Sequence, residues 1–214
     1  MLLGIAYFPP VSWFTAALRD LTLSADGVIP SVATLEACEH YQKQTYRNRC
    51  RIMTAGGVEN LQFPVVHDDG LWTAPITTVK VDYSTPWVVR HERAIATAYE
   101  SSPFFIHYKD AIFEILESEL PTLWELDHAL IVRLTELMGL PLEFRSTTEY
   151  RAEAPDDFRG IHPKHPGVFP AKEEPYYQVF SGKYGFQKDL SILDLLFCEG
   201  PMASDYIFKN AIRG

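Results

Sequence analysis

HYQKQTYRNRCRIMTAGGVENLQFPVV, residues 40–66, holds both the fold signal and the charge anomaly of this chain. Two apolar-rich runs, Arg47 to Thr54 and Leu61 to Val66, flank Gly56-Gly57, a pattern that predicts two strands joined as a hairpin. The same stretch carries Lys43, Arg47, Arg49 and Arg51 with no carboxylate between the first and the last. The chain as a whole has the opposite sign, with 28 Asp and Glu against 19 Lys and Arg and a net charge of −9.

If Arg47 to Ile52 is extended, its side chains alternate. Arg47, Arg49 and Arg51 then share one face, and Tyr46, Asn48, Cys50 and Ile52 the other. Same-face neighbours lie about 7 Å apart. Each cationic pair repels by roughly 0.6 kcal/mol in water and by roughly 2.4 kcal/mol where the effective dielectric is about 20. An exposed row costs little; a half-buried one needs carboxylates or an outside anion. Two readings stand: a solvated edge partnered by Glu36, Glu39 or Glu59, and a cleft for an anionic group such as a phosphate, which Arg meets with a planar fork and Lys with a point charge.

Outward from this segment, Leu2 to Phe8 reads as a buried strand broken by Pro9-Pro10. Val11 to Asp20 reads as a helix with Ser12 at its N-cap, and Val32 to Ala37 as a second strand. The N-terminus has no Lys or Arg before its apolar run, unlike a signal peptide. Ile76 to Val81 alternates like another strand. A helical section follows: Thr85-Pro86-Trp87 starts one helix to Tyr99, Ser102-Pro103 a second to Ser118, and Thr122 with Glu125 form a capping box for a third. In that third helix Leu126, Leu130, Leu134 and Leu137 share a face until Gly139 stops it. Leu142 to Thr147 reads as a returning strand. Residues 151 to 175 hold Pro155, Pro163, Pro166, Pro170 and Pro175, a composition expected of a lid or binding loop. Ser191 and Asp194 cap a helix that Gly200-Pro201 ends. The mixed order predicts the α/β class: a single domain with a mixed β-sheet, a helical middle section and a Pro-rich loop near the C-terminus.

A chain of 214 residues suits one domain with a sizeable core. Its apolar share of 47% excludes a disordered chain. The acidic balance argues against nucleic-acid binding, which needs a broad basic face. Cys38, Cys50 and Cys198 have no disulfide or metal spacing, which fits a cytoplasmic protein. No segment is apolar for long enough to span a bilayer, so no direct membrane insertion is expected. No metal and no cofactor is expected either. Glycine-rich phosphate loops, G-x-S-x-G elbows and D-x-D pairs are absent from the sequence.

The residues in AYFPPVSWF (Ala6 to Phe14, with Tyr7, Phe8 and Phe14), Tyr41-x-Lys43, Asn48-Arg49 followed by Ile52, Phe63-Pro64-Val65, Trp87, Tyr99 with Ser102 to Phe105, Gln178-x-Phe180 and Leu190 to Asp194 follow one another in the order of a known pattern. On these motifs the chain resembles the WbqC-like family, in the form of a Bacteroidetes-type branch. Two features depart from the family: its acidic pair before Tyr-x-Lys is replaced by Glu36 and Glu39 in another register, and the C-terminal half is shortened to the Pro-rich loop. The resemblance implies a role in O-antigen or other surface-polysaccharide assembly, with amide, acyl or aminoacyl transfer to a nucleotide-linked amino sugar. The implied partner is an anionic, phosphate-bearing sugar. The expected anion-binding residues are Lys43, Arg47 and Arg49 with Tyr41 and Tyr7, aided by backbone N–H groups at the first helix.

For chemistry, acyl transfer to an amine needs a base, an oxyanion partner and exclusion of water. Glu36 or His91 is the expected base and Asn48 an orienting amide. A non-catalytic sugar-binding protein and a partner-docking subunit are the alternatives. Cys50 falls on the face opposite the arginines, as a core thiol does. His162 and His165 have H-x-x-H spacing without a third ligand, and prolines oppose a helix there, so a loop is expected rather than zinc.

Overall fold

A computed structural model of the chain describes residues 1–24, 27–67, 70–165 and 173–211. In chain order the strands and helices are β1 (Leu2–Leu3), α1 (Val11–Ala17), β2 (Thr22–Ser24), β3 (Gly27–Ile29), β4 (Ser31–Leu35), β5 (Arg49–Thr54), β6 (Gly57–Gln62), α2 (Trp87–Tyr99), α3 (Phe105–Glu117), α4 (Leu123–Leu137), β7 (Leu142–Ser146), α5 (Ser181–Tyr184), α6 (Ile192–Glu199) and α7 (Ala203–Asn210). The class is α/β, as expected. The parallel and antiparallel strands form separate ladders: β1-β4-β7 is parallel throughout, while β5-β6 and β2-β3 are antiparallel pairs.

Parallel neighbours need long crossovers. Here β1 reaches β4 through α1, whose seven residues are all buried, and β4 reaches β7 through the hairpin and α2 to α4. The first strand is shorter than Leu2 to Phe8, because the chain leaves the sheet after Leu3 and turns at Phe8, which is buried with φ 41°. A left-handed aromatic costs about 1–3 kcal/mol and persists only where its surroundings fix it. Ser12 does not cap α1. Pro10 stands at the N-cap with extended geometry, and the Ser12 N–H donates to Asp189 Oδ1 at 3.0 Å. A residue 177 positions away therefore closes this helix end, and its first turn is not aimed at an outside anion.

The hairpin is real but shifted. Thr54 pairs with Gly57, so β6 starts earlier than Leu61; its exposed Glu59 and Asn60 hide the strand pattern. Residues 76–81 do not form a strand. Ile76–Thr78 is a 3-10 turn closed by Thr78 Oγ1 donating to the Pro75 carbonyl, followed by single bridges of Lys80 to Thr122 and Val81 to Val65. The buried Ile76, Val79 and Val81 are thus spaced as a turn and then an extended pair.

In the helical section α2 starts at Trp87 with Pro86 at the N-cap, one residue later than the Thr85 reading. The second helix starts at Phe105, and Ser102 Oγ donates back to the Tyr99 carbonyl, closing α2 instead of opening α3. The Thr122–Glu125 capping box is present, and Leu126, Leu130 and Leu134 are fully buried. Ser191 caps α6 through Leu193 N–H. Asp194 is not a capping acid: α6 is buried almost throughout, and the carboxylate accepts from Tyr176 Oη at 2.8 Å and Gln178 Nε2 at 3.0 Å. Burial raises its pKa to about 6. Of the expected lid, residues 166–172 lie outside the described residues, while 156–158 are fixed to β1 through the Leu2 N–H and the Leu2 carbonyl. No helix among the described residues is long and apolar enough to cross a membrane.

Gly200 ends α6 at φ 54°, and a Cβ there would lie 2.4 Å from the Phe104 ring. Gly200→Ala combines left-handed strain with overpacking. Urea denaturation should show a loss of about 3 kcal/mol; a loss below about 0.5 kcal/mol contradicts this packing.

Candidate functional site

Ligands of open parallel sheets sit beyond the carboxyl ends of the strands. Here that edge carries Gly4 after β1, Glu36 and Glu39 after β4, and Thr147 after β7. Over it lies the segment 45–49. Thr45 Oγ1 accepts from the Arg47 N–H and starts a 3-10 turn over Tyr46–Asn48, so the strand begins only at Arg49. This corrects the single cationic face. Arg49 and Arg51 do alternate with the buried Cys50 and Ile52, but Arg47 belongs to the turn and points inward.

The Arg47 guanidinium is 3% exposed as a residue and is held as a fork: Nε donates to Glu39 Oε1 at 2.8 Å and Nη2 to Glu39 Oε2 at 2.6 Å. Nη2 also passes so close to Gly4 that a Cβ there would stand 3.0 Å from it. The hollow beside it, between Tyr46, Phe158 and Arg159, measures about 10 Å³, room for one water at most. Arg47 thus meets an internal carboxylate, Glu39, where the sequence reading has it among the anion-binding residues.

Glu36 is fully buried and saturated. Oε1 accepts from Cys38 N–H (3.1 Å) and Thr147 Oγ1 (2.6 Å), and Oε2 from Arg151 N–H (3.2 Å) and Arg159 Nη1 (3.4 Å). Four donors fill the four lone-pair sites of a carboxylate. In this geometry Glu36 ties β4 to β7 and to the 151–159 segment, with no lone pair left for a substrate proton. Arg159 is also clamped by Asp157.

His91, on α2, lines a groove of about 540 Å³ together with Arg90 and with Asn60, Leu61 and Gln62 of β6. Its Nε2 stands 3.2 Å from the Gln62 carbonyl and its Nδ1 2.8 Å from Tyr7 Oη. A carbonyl only accepts, so Nε2 carries the proton and Nδ1 accepts from the tyrosine. Burial lowers the His91 pKa to about 4. Tyr7 is fully buried, and burial raises its own pKa. Both ring nitrogens of the expected base are therefore engaged in the core.

The remaining expected residues lie on the outer side of the turn. Asn48 is buried, with Nδ2 donating to the Phe63 carbonyl at 2.8 Å and Oδ1 unpartnered. Arg49 is half-buried: Nη2 donates to Gln62 Oε1 at 2.7 Å, Nε is buried without an acceptor, and no salt bridge joins it to a carboxylate among the described residues. Its positive charge acts on Tyr41 and on His162. Lys43 is exposed and sits over the Trp72 ring at 4.1 Å, and Tyr41 packs against the same ring. Trp72 is 43% exposed. So the structure brings Tyr41, Lys43, Asn48 and Arg49 around one turn, and separates them from Glu36 and from the Tyr7–His91 pair.

Two residues of this region escaped the sequence reading. Arg159 carried no local signal. Asp127 did: it interrupts the apolar stripe of α4, four residues after Leu123 and four before Ile131. Cys50 is fully buried with its thiol pKa pushed up by burial, as a core thiol. His162 and His165 stand ring to ring at 5.9 Å in a loop, and no group of three metal-ligating side chains occurs among the described residues.

Breaking one side of the Arg47–Glu39 pair leaves an uncompensated buried charge. Glu39→Gln should lower the unfolding free energy by about 3–5 kcal/mol in urea, and a change under about 1 kcal/mol contradicts a structural pair. His91 gives a pH signature. Its neutral form favours the fold; that contribution, about 3 kcal/mol, is whole above the ordinary pKa and is lost as pH falls toward 4. Imidazole nitrogen NMR should show Nε2 protonated and Nδ1 bare down to about pH 4; titration near 6.5 contradicts the buried pair.

No curated protein and no solved structure matches this chain. A protein-family model does, over residues 29–162, a span that runs from the end of β3 through β4, the Lys43–Arg49 turn and α4 and past Arg159. The chain belongs to the WbqC-like protein family.

Proposed function

We propose that the chain binds a phosphate-bearing amino sugar at the Tyr41–Arg49 turn and takes part in surface-polysaccharide assembly, as a transferase that places an acyl or aminoacyl group on the sugar amine. One observation carries the binding half: Arg49 is a half-buried cation with a buried, unpartnered Nε and, among the described residues, no salt bridge to a carboxylate. A guanidinium in that state favours an anion that accepts from Nε, and phosphate geometry suits it. Lys43 adds a second positive charge on the same turn, and the exposed Trp72 ring adds an apolar platform. Glu39 matters here indirectly. By occupying Arg47 it leaves Arg49 as the half-buried cation of this turn with no acid partner among the described residues.

A second reading, a non-catalytic protein that recognises the same sugar and hands it on, draws support from the state of the expected base residues. Glu36 is saturated and both His91 nitrogens are engaged.

Thermal-shift and calorimetric titration with nucleotide-linked amino sugars separates these from a docking subunit. The expected result is binding that weakens as salt rises and that Arg49→Ala weakens at least tenfold. Unchanged affinity in Arg49→Ala contradicts the site. Binding without turnover of activated acyl or aminoacyl donors selects the second reading.

A further inference from the structure

β6 belongs to a two-stranded sheet, and among the described residues no strand pairs with its outer edge. The register fixes which groups that edge offers. Phe63 N–H donates to the Asn48 carbonyl at 3.1 Å, so Leu61, Glu59 and Gly57 turn their backbone groups toward β5. Val58, Asn60 and Gln62 turn theirs away. His91 follows the same alternation, since its Nε2 donates to the outward carbonyl of Gln62. The row is already in use further along the chain. Asp82 N–H donates to the Pro64 carbonyl at 3.0 Å, and Val66 N–H to the Lys80 carbonyl at 2.9 Å, with Val65 and Val81 bridged antiparallel. Residues 80–82 thus lie along this edge as an extended segment. The chain then turns off through Ser84, whose N–H donates to Asp82 Oδ1, and enters α2. Where it leaves, the Gln62 N–H and both backbone groups of Asn60 have no partner among the described residues.

Native sheets blunt an open edge with Pro, Lys or a bulge. Val58 to Gln62, roughly 17 Å of strand, has none of these. A groove accompanies it. The hollow lined by His91 runs beside Asn60 and Gln62, and Ala94 joins it to a second hollow of about 340 Å³ lined by Glu59, Arg93 and Thr97. The α2 wall is cationic. Arg90 and Arg93 are exposed, lie three residues apart on one face, and form no salt bridge among the described residues. Trp87 lines the same groove, and its Nε1 is buried without an acceptor. Glu59 is the one acid lining the two hollows among the described residues, and its Oε1 accepts from Thr54 Oγ1 at 2.7 Å. The groove therefore offers more donors than acceptors and more positive charge than negative.

We infer that the open edge of β6 and the facing wall of α2 form a docking groove for an extended, acidic segment of another protein, which continues the row begun by residues 80–82 and sets its carboxylates against Arg90 and Arg93. Main-chain bonds to Asn60 and Gln62 supply affinity, and the two arginines select the sign. The inference does not depend on the phosphate-sugar reading, since it uses no residue of the Tyr41–Arg49 turn.

The test is fluorescence anisotropy with three fluorescein-labelled hexapeptides: alternating Glu and Val, alternating Lys and Val, and the Glu–Val peptide with its backbone nitrogens methylated, which cannot join a ladder. The chains are the parent, Arg90→Glu combined with Arg93→Glu, and Asn60→Pro, with sedimentation of the parent and Asn60→Pro alongside. Proline at this outward-facing position removes an N–H from the docking row and none from the β5–β6 ladder. If Asn60→Pro does not fold, the methylated peptide and the arginine variant still carry the test. The expected result is saturable binding of the Glu–Val peptide to the parent, at least tenfold weaker binding of the other two peptides, and at least tenfold weaker Glu–Val binding in both variants. No saturable binding, equal affinity for the Lys–Val or the methylated peptide, or affinity unchanged in the arginine variant overturns the inference. A dimer that Asn60→Pro dissociates, with no peptide bound, assigns the edge to a second copy of this chain and overturns it too.

Discussion

The buried fork between Arg47 and Glu39 governs this region of the protein. It sits beyond the carboxyl ends of β1 and β4, where Gly4 has no side chain to obstruct it. A pair removed from water in this way adds little net stability over an apolar pair, but losing one partner is severe. Its effect here is geometric. By drawing Arg47 inward it bends the chain into the Tyr46–Asn48 turn, sets the start of β5, and turns Arg49 outward next to Gln62.

The polar groups around that turn then divide into two kinds. Glu36, Arg159, Thr147 and the Tyr7–His91 pair have their hydrogen-bonding capacity taken up within the fold, and they join strands, loop and helix. Asn48, Arg49 and Asp127 keep buried atoms without partners. Native interiors rarely leave such atoms alone, and those that are left are where a ligand has most to gain. The division separates the side of the turn whose bonds support the fold from the side to which binding is proposed. Chemistry that calls on Glu36 or His91 needs those bonds to break first.

Much of this was legible in the sequence, and the failures have physical causes. The hairpin, the helical section, the Thr122–Glu125 box and the returning strand Leu142 to Ser146 follow from local pattern and capping. The reading of Arg47 failed because a Thr45 cap and a partner eight residues upstream outweigh strand alternation. Ser12 failed for a similar reason: Asp189, far along the chain, takes the capping role. Ile76 to Val81 imitated a strand because the 3-10 turn buries Ile76 and the extended pair after it buries Val79 and Val81, with Thr78 and Lys80 exposed between them. The Lys43–Arg49 cluster was visible as charge, whereas Asp127 was visible only as one acid on a leucine face, a signal easily set aside.

A crystal structure with glucosamine 1-phosphate bound tests the division between saturated and orphaned groups most directly. The account predicts a phosphate oxygen within hydrogen-bond reach of Arg49 Nε, the sugar over the Tyr41–Arg49 turn, and an Arg47–Glu39 fork that does not move. A sugar seated elsewhere, in the groove over His91 or in the apolar cavity beside Phe208, with Arg49 Nε still unpartnered, contradicts it.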